Sequence, residues 1–103
     1  MAALIYAPFP DRESARSAAE QLLSEKLIAC ANILGEIESL FVWEGESDSS
    51  IEIGALFKTD GELLDRASER LGELHPYDTP AILGWACDSA APATREWLAG
   101  LRA

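Results

Sequence analysis

The hydrophobic and polar residues in the middle of the chain alternate as a long β-hairpin requires. In residues 51–58, one face carries Ile51, Ile53, Ala55 and Phe57, and the other carries Glu52, Gly54, Leu56 and Lys58. Residues 29–33 and 37–43 predict the preceding strand, bent by a bulge at Gly35. The polar residues 44–50 predict the hairpin tip. The first arm is much longer than a usual strand of about 5–6 residues.

The flanking segments predict two more strands and three helices. Residues 3–7 are an apolar run closed by Pro8 and Pro10, which indicates a buried first strand. Residues 81–87 are apolar on both faces and predict a last strand.

Apolar residues recur at helical spacing in residues 15–23 and again in residues 63–74. Asp11 or Ser14 is the expected cap of the first helix, and Thr59 or Asp60 of the second. The second helix should end at His75, because a proline follows it. Pro92 suits the first turn of a short C-terminal helix, with Ala93, Trp97 and Leu101 on its apolar face.

The order of these elements predicts an α+β fold. It is a ferredoxin-like β-α-β-β-α-β sandwich with a four-stranded antiparallel sheet, a long bent second strand and a short C-terminal helix. We expect residues 1–103 to form a single domain. Right-handed crossovers place the first and third strands in the centre and the second strand at an edge. Because a long exposed edge promotes aggregation unless it is paired, we predict that another copy of the chain pairs with it.

Composition excludes several classes of partner. Lys and Arg number 8 against 18 Asp and Glu, so the net charge is −10 and the chain repels phosphate backbones and anionic membrane surfaces. We therefore expect neither a nucleic-acid nor a membrane partner. No apolar run approaches the ~20 residues of a membrane span and no signal core opens the chain, so we predict a cytoplasmic protein. The 2 cysteines show no C-x-x-C spacing, so no disulfide framework or zinc knuckle is indicated.

Four short segments, in their order and separation, resemble the CutA divalent-cation-tolerance family. They are Ala29-Cys30-Ala31-Asn32, Trp43-Glu44-Gly45, Phe57-Lys58-Thr59 and Leu74-His75-Pro76-Tyr77. The resemblance covers nearly the whole chain and implies the fold deduced above. It also implies a homotrimer built around the long edge strands, a role in tolerance of copper and other divalent metal ions, no established reaction and no organic cofactor.

Four positions depart from the family pattern. Phe41 replaces a usual tyrosine, Val42 a usual arginine, Ala81 a glutamate that often follows the proline, and Thr94 a common aromatic residue. These departures leave the fold prediction intact. They remove polar groups that would make contacts in a cleft between subunits.

Cys30, His75 and Glu44 are the candidate metal ligands. A thiolate at Cys30 suits Cu(I) and Zn(II), although a cysteine between two alanines on a strand also suits simple packing. His75 is the only histidine and the only source of an imidazole ligand, yet at a helix end it also suits capping of the last carbonyls. A site would need further ligands from Glu44, Asp78 or a neighbouring subunit.

Asn32, Trp43, Lys58 and Tyr77 are the candidates for the cleft between subunits. Trp43 suits an interface anchor as well as a cleft wall. Lys58 interrupts an apolar strand, where it either holds an anionic ligand or pairs with Glu44 or Glu52.

These patterns favour a non-enzymatic trimer that functions in divalent-cation tolerance. The alternative is a PII-like sensing or signalling module that binds a small molecule in the clefts between subunits, although the net charge disfavours an anionic ligand. Catalysis by a thiolate pair of Cys30 and His75 is the enzymatic hypothesis. No P-loop, H-E-x-x-H helix, G-x-G-x-x-G turn or nucleophile elbow supports it, and two prolines in residues 7–12 remove the backbone donors of a phosphate cradle.

Overall fold

Four antiparallel strands form one sheet in a computed structural model that describes residues 1–103. The spatial order is β2-β3-β1-β4, so the prediction of central first and third strands and an edge second strand is confirmed. The strands are β1 (Ala2–Phe9), β2 (Cys30–Trp43), β3 (Glu46–Asp60) and β4 (Leu83–Ala86), and the helices are α1 (Arg12–Ser24), α2 (Leu64–Leu74) and α3 (Pro92–Ala99). Short 3-10 turns cover Gly61–Leu63 and Gly100–Arg102. No helix is both long enough and apolar enough to cross a bilayer.

The core lies between α1, α2 and one face of the sheet. Alternate residues of β1 and β3 supply the sheet side, and small residues of α1 let that helix approach closely. Fully buried members of this core include Ile5, Phe9, Ala15, Leu22, Phe57 and Leu71. The opposite face of the sheet is covered by neither α1 nor α2, and only α3 packs on it, against β1 and β3; we call it the open face.

A bulge changes which residues of β2 reach each face. The register shifts between Ile33 and Gly35, and Gly35 has a φ of 98°. Before the bulge, Ala31 and Ile33 pack against the core. After it, the side-chain phase is reversed, so Ser39 and the residues at every second position beyond it lie on the open face. The predicted bent strand is thereby confirmed.

The hairpin tip is shorter than predicted. Only Glu44 and Gly45 form the turn, with φ values of 51° and 80°, while the polar residues that follow belong to β3. Positive φ at both central residues matches a type I′ turn, whose twist continues that of the strands. Phe41 lies opposite Asp48 and Ser39 opposite Ser50. Beyond the bulge, residues 36–52 therefore form a two-stranded projecting arm in which residues 40–51 are all exposed.

The first strand runs through Pro8 instead of ending before it. Pro8 pairs with Gly54 of β3, but β4 accompanies β1 only as far as Tyr6. On the β4 side of β1, the Ala2 carbonyl accepts from the backbone N–H of Cys87. The backbone groups of every second residue in a strand point to the same side, so the nitrogen of Pro8 also points towards the β4 side. Because β4 has already ended there, the missing N–H of Pro8 costs the sheet no hydrogen bond.

The helix caps follow the sequence closely. Asp11 caps α1 by accepting from the Ser14 backbone N–H at 2.7 Å, and Asp60 caps the turn before α2 by accepting from that of Glu62 at 3.1 Å. The apolar face predicted for α3 is wrong. Leu98 is its buried residue, whereas Trp97 is 51% exposed, because α3 packs through the neighbouring stripe of its surface.

Candidate functional site

A groove of about 530 Å³ lies between the projecting arm and the loop that follows α2. We call it the arm groove. Its walls come from the end of β1, both strands of the arm and the loop between α2 and β4. The lining residues are Pro8, Ser39, Phe41, Val42, Trp43, Ser50, Glu52, Tyr77, Thr79, Pro80 and Ala81. Its volume is within the range of about 300–1,000 Å³ typical of small-molecule sites.

His75 holds the groove's loop against β1. Its ring stacks on Phe9 with centroids 4.3 Å apart, and its Nδ1 accepts from the Tyr77 backbone N–H at 3.2 Å. Nε2 must therefore carry the proton, and it donates to the Pro8 carbonyl at 2.8 Å. Burial lowers the pKa of His75, which keeps the imidazole neutral.

This arrangement bears on both sequence interpretations of His75. The ring does not cap α2, since only the backbone N–H of His75 bonds back to that helix, at the Leu71 carbonyl. Both ring nitrogens are already in hydrogen bonds, so the imidazole has no free lone pair for a metal ion within one chain. His75 is a positioning residue for the arm groove.

Glu52 is the buried charge of the groove. It is 8% exposed, and its Oε2 accepts from the Tyr77 hydroxyl at 2.8 Å. Burial and the adjacent carboxylate together raise the pKa of Tyr77 to about 12, so the phenol remains a donor. No Lys or Arg lies within ion-pair distance of Glu52.

Glu52 was not predicted as a site residue, because the sequence pattern indicated it only as a partner for Lys58. That ion pair is not formed with Glu52 or with Glu44. Lys58 and Glu52 share the open face, but six residues of strand separate them by roughly 20 Å. A carboxylate on a central strand was the signal that would have identified Glu52.

A second group of site candidates lies at the base of β2. Cys30 is opposite Lys58, and Asn32 is opposite Leu56, so Cys30, Asn32 and Lys58 share the open face. The Cys30 thiol is half-buried and unbridged, with its Sγ 3.7 Å from Asn32 Oδ1. We call these three residues the thiol patch.

The structure therefore divides the predicted site into two parts. Trp43 and Tyr77 meet in the arm groove, whereas Asn32 and Lys58 lie in the thiol patch. Cys30 begins β2 and Glu44 follows its last residue, which places them at opposite ends of a 14-residue strand in a molecule 44 Å long. Cys30, His75 and Glu44 do not converge within one chain, and no three His, Cys, Asp or Glu residues form a metal-sized cluster.

Three of the four positions that depart from the family pattern line the arm groove. They are Phe41, Val42 and Ala81, none of which carries a charge, so Glu52 is the only ionisable acid or base in the groove besides the phenol of Tyr77. Thr94 lies apart from them, on α3.

Comparison with known proteins agrees with this architecture. The family model of the CutA1 divalent ion tolerance protein matches residues 3–100. The divalent-cation tolerance protein CutA of Pyrococcus horikoshii is 43% identical over 95 residues, which are 92% of this chain and 92% of that protein.

Solved structures of similar proteins superpose closely on this chain. The divalent ion tolerance protein CutA1 from Ehrlichia chaffeensis has a TM-score of 0.91 at 36% identity, covering 99% of this chain and 95% of that one. The periplasmic divalent cation tolerance protein CutA from Archaeoglobus fulgidus has a TM-score of 0.91 at 31% identity, covering 98% of both chains.

The fold is thus that of an α+β ferredoxin-like protein with an extended hairpin. More specifically, the chain belongs to the CutA1 divalent ion tolerance protein family.

Proposed function

We propose that this protein is a non-enzymatic homotrimer that functions in tolerance of divalent cations by binding copper or another divalent metal ion. Family membership supports the tolerance role, since the matching family and its relatives are named for it. The observation that carries the metal-binding part is the Cys30 thiol, which is unbridged and half-buried on the open face of the sheet.

Two free sheet edges support self-assembly. The outer edge of β2 and the outer edge of β4 both lack a strand partner in the chain. Apolar side chains cluster on the projecting arm, where Leu40 is 78% exposed and Val42 is 69% exposed. Pairing of different edges from head to tail closes a ring without leaving an edge exposed, and the family resemblance implies three copies.

Assembly would also bring together the ligands of a metal site shared between copies of the chain. Within one chain the thiol patch offers a single soft ligand, and common zinc sites need about four ligands. The remaining donors would come from a neighbouring copy, for which Glu44 at the end of the arm is the candidate. His75 contributes less than the sequence predicted, because its ring nitrogens are occupied.

A Cu(I) titration with a competing chelator tests this proposal. Cys30→Ser should weaken binding at least about tenfold, because Cu(I) prefers thiolate sulfur to hydroxyl or carboxylate oxygen. Cys87→Ser is the matched control, since Cys87 is the other half-buried free thiol. Unchanged Cu(I) affinity in Cys30→Ser, or an equal loss in Cys87→Ser, would contradict the proposed site.

The cytosol is the proposed location. Both cysteines are unpaired, as is usual in a reducing compartment. One structural neighbour is named as periplasmic, so location varies within the family. Fractionation of cells that express the full chain tests the location, and recovery outside the cytosolic fraction would refute it. Esterase and acylphosphatase assays test the non-enzymatic assignment, which a reproducible turnover lost in Cys30→Ser would overturn.

A further inference from the structure

The arm groove is lined by one carboxyl group and by no basic residue. Glu52 is the only Asp, Glu, Lys, Arg or His among its lining residues. The Glu52 side chain is more than nine-tenths buried and forms no ion pair. A buried carboxylate without a cation is costly, so the groove favours a ligand that brings positive charge.

One oxygen of Glu52 remains available to such a ligand. Oε2 accepts from the Tyr77 hydroxyl, which fixes the plane of the carboxylate. Oε1 has no hydrogen-bond partner in the chain, and it is not among the fully enclosed polar atoms. The carboxylate is therefore held in place by one oxygen and presents the other to the groove.

The walls of the groove suit an organic cation better than a metal ion. Phe41, Trp43 and Tyr77 supply aromatic rings, whose faces attract ammonium groups. Hydroxyl groups of Ser39, Ser50 and Thr79 can accept further N–H bonds. A divalent metal ion would require several oxygen ligands around it, whereas only one carboxylate lines this groove.

We propose that the arm groove binds a small organic cation of the alkyl- or arylammonium class, with its ammonium group on Glu52 Oε1 and its apolar part against Phe41 and Trp43. This site is separate from the thiol patch and does not depend on metal binding. The competing occupant is a Lys or Arg side chain of a second copy of the chain, which would fill the groove on assembly.

Calorimetric titration of the assembled full-length protein at about 0.15 M salt tests the site, because that salt screens attraction to surface carboxylates. The probes are benzylammonium, its neutral analogue benzyl alcohol and its anionic analogue benzoate. Benzylammonium should bind at least about tenfold more tightly than benzyl alcohol, since it alone forms a charged hydrogen bond. Benzoate should show no saturable binding. This comparison needs no variant.

A matched pair of variants then locates the binding. Glu52→Gln removes the charge but keeps an oxygen that can accept from Tyr77, and it should weaken benzylammonium binding at least about tenfold. Glu38→Gln removes an exposed carboxylate of the same arm that does not line the groove, and it should leave the affinity unchanged.

Three results would overturn the proposal. They are equal affinities for benzylammonium and benzyl alcohol, equal losses in Glu52→Gln and Glu38→Gln, and no binding to the assembled protein. The last result would show that a neighbouring copy or another group occupies the groove. None of them bears on Cu(I) affinity at Cys30, so failure here leaves the metal proposal to its own test.

Discussion

The imidazole of His75 donates from Nε2 to the Pro8 carbonyl across 2.8 Å, and this bond connects the end of α2 to the end of β1. Pro8 suits this position for two reasons. Its nitrogen lacks a hydrogen at a point where β4 has ended and no N–H is needed, and its carbonyl accepts the hydrogen bond from His75. The loop that carries Tyr77 is thereby held over the arm groove.

Stability should depend on the protonation of His75. Burial lowers its pKa below the ordinary value of 6.5, so the unfolded chain binds a proton more readily than the folded chain. The stabilisation is therefore complete above that ordinary value and is lost as the pH falls from it towards the lowered pKa. The free energy of unfolding should decrease by about 1.4 kcal/mol for each unit between the two pKa values.

Urea denaturation at fixed protein concentration between about pH 7.5 and pH 5.5 measures this effect. His75→Gln should flatten the pH dependence, because His75 is the only histidine. The carboxyl groups whose pKa values are lowered, those of Asp11 and Glu25, titrate at lower pH and leave this window undisturbed. A pH slope that is equally steep in His75→Gln would refute the assignment.

Arg102 should stabilise the fold although it lies in the last turn of the chain. Its Nε lies 2.9 Å from Oδ2 of Asp60, a carboxylate that is only 1% exposed. The other oxygen, Oδ1, has no hydrogen bond and lies 3.7 Å from the amino group of Met1. Arg102→Ala should therefore cost about 1–3 kcal/mol of unfolding free energy, because it leaves a buried charge poorly paired.

Arg16→Ala is the control for Arg102→Ala. The Arg16–Glu20 pair is exposed on both sides, and its loss should cost about 0.5 kcal/mol or less. Equal costs in the two variants, measured by urea denaturation, would show that Asp60 does not need Arg102.

The bulge at Gly35 should be intolerant of a side chain for conformational reasons alone. A Cβ at Gly35 would meet nothing within 4 Å, but the φ of 98° is disfavoured for any other residue. Gly35→Ala should cost about 1–2 kcal/mol. Gly100→Ala is the matched control, since its Cβ would also meet nothing but its φ is −62°. If both variants unfold at the same urea concentration, strain at the bulge is refuted.

Local rules predicted most of the fold because each element carries its own signal. The alternation of residues 51–58, the Asp11 cap and the proline after His75 all act over a few residues. The tip was predicted too long because Ser47, Asp48 and Ser49 are typical loop residues. Cross-strand pairing to residues 40–42 overrides that preference, and only the register shows it.

The candidate site was less predictable because it depends on which residues the fold brings together. Trp43 and Tyr77 were predicted together and do share the arm groove. Glu52 was not predicted as a site residue, because it is buried by contact with the loop that His75 holds against β1. The separation of Cys30 from Glu44 follows from the unbroken length of β2, which the bulge at Gly35 bends without ending.

Trp43 should anchor the assembly. It is a large apolar side chain, 55% exposed, at the end of an arm whose apolar neighbours Leu40 and Val42 are still more exposed. Buried tryptophans often contribute about 2 kcal/mol or more to an interface when truncated to alanine. Trp43→Ala should therefore raise the dissociation constant of the assembly by at least about tenfold.

Trp97→Ala is the control for Trp43→Ala, because Trp97 is 51% exposed but lies on α3, which packs against the central strands β1 and β3. Light scattering after size exclusion should give the parent and Trp97→Ala three times the chain mass of 11.2 kDa, while Trp43→Ala dissociates on dilution. A parent that stays monomeric at micromolar concentration would refute assembly itself. Equal dissociation in both variants would leave assembly intact but remove the arm from its interface, since only Trp43 belongs to the arm.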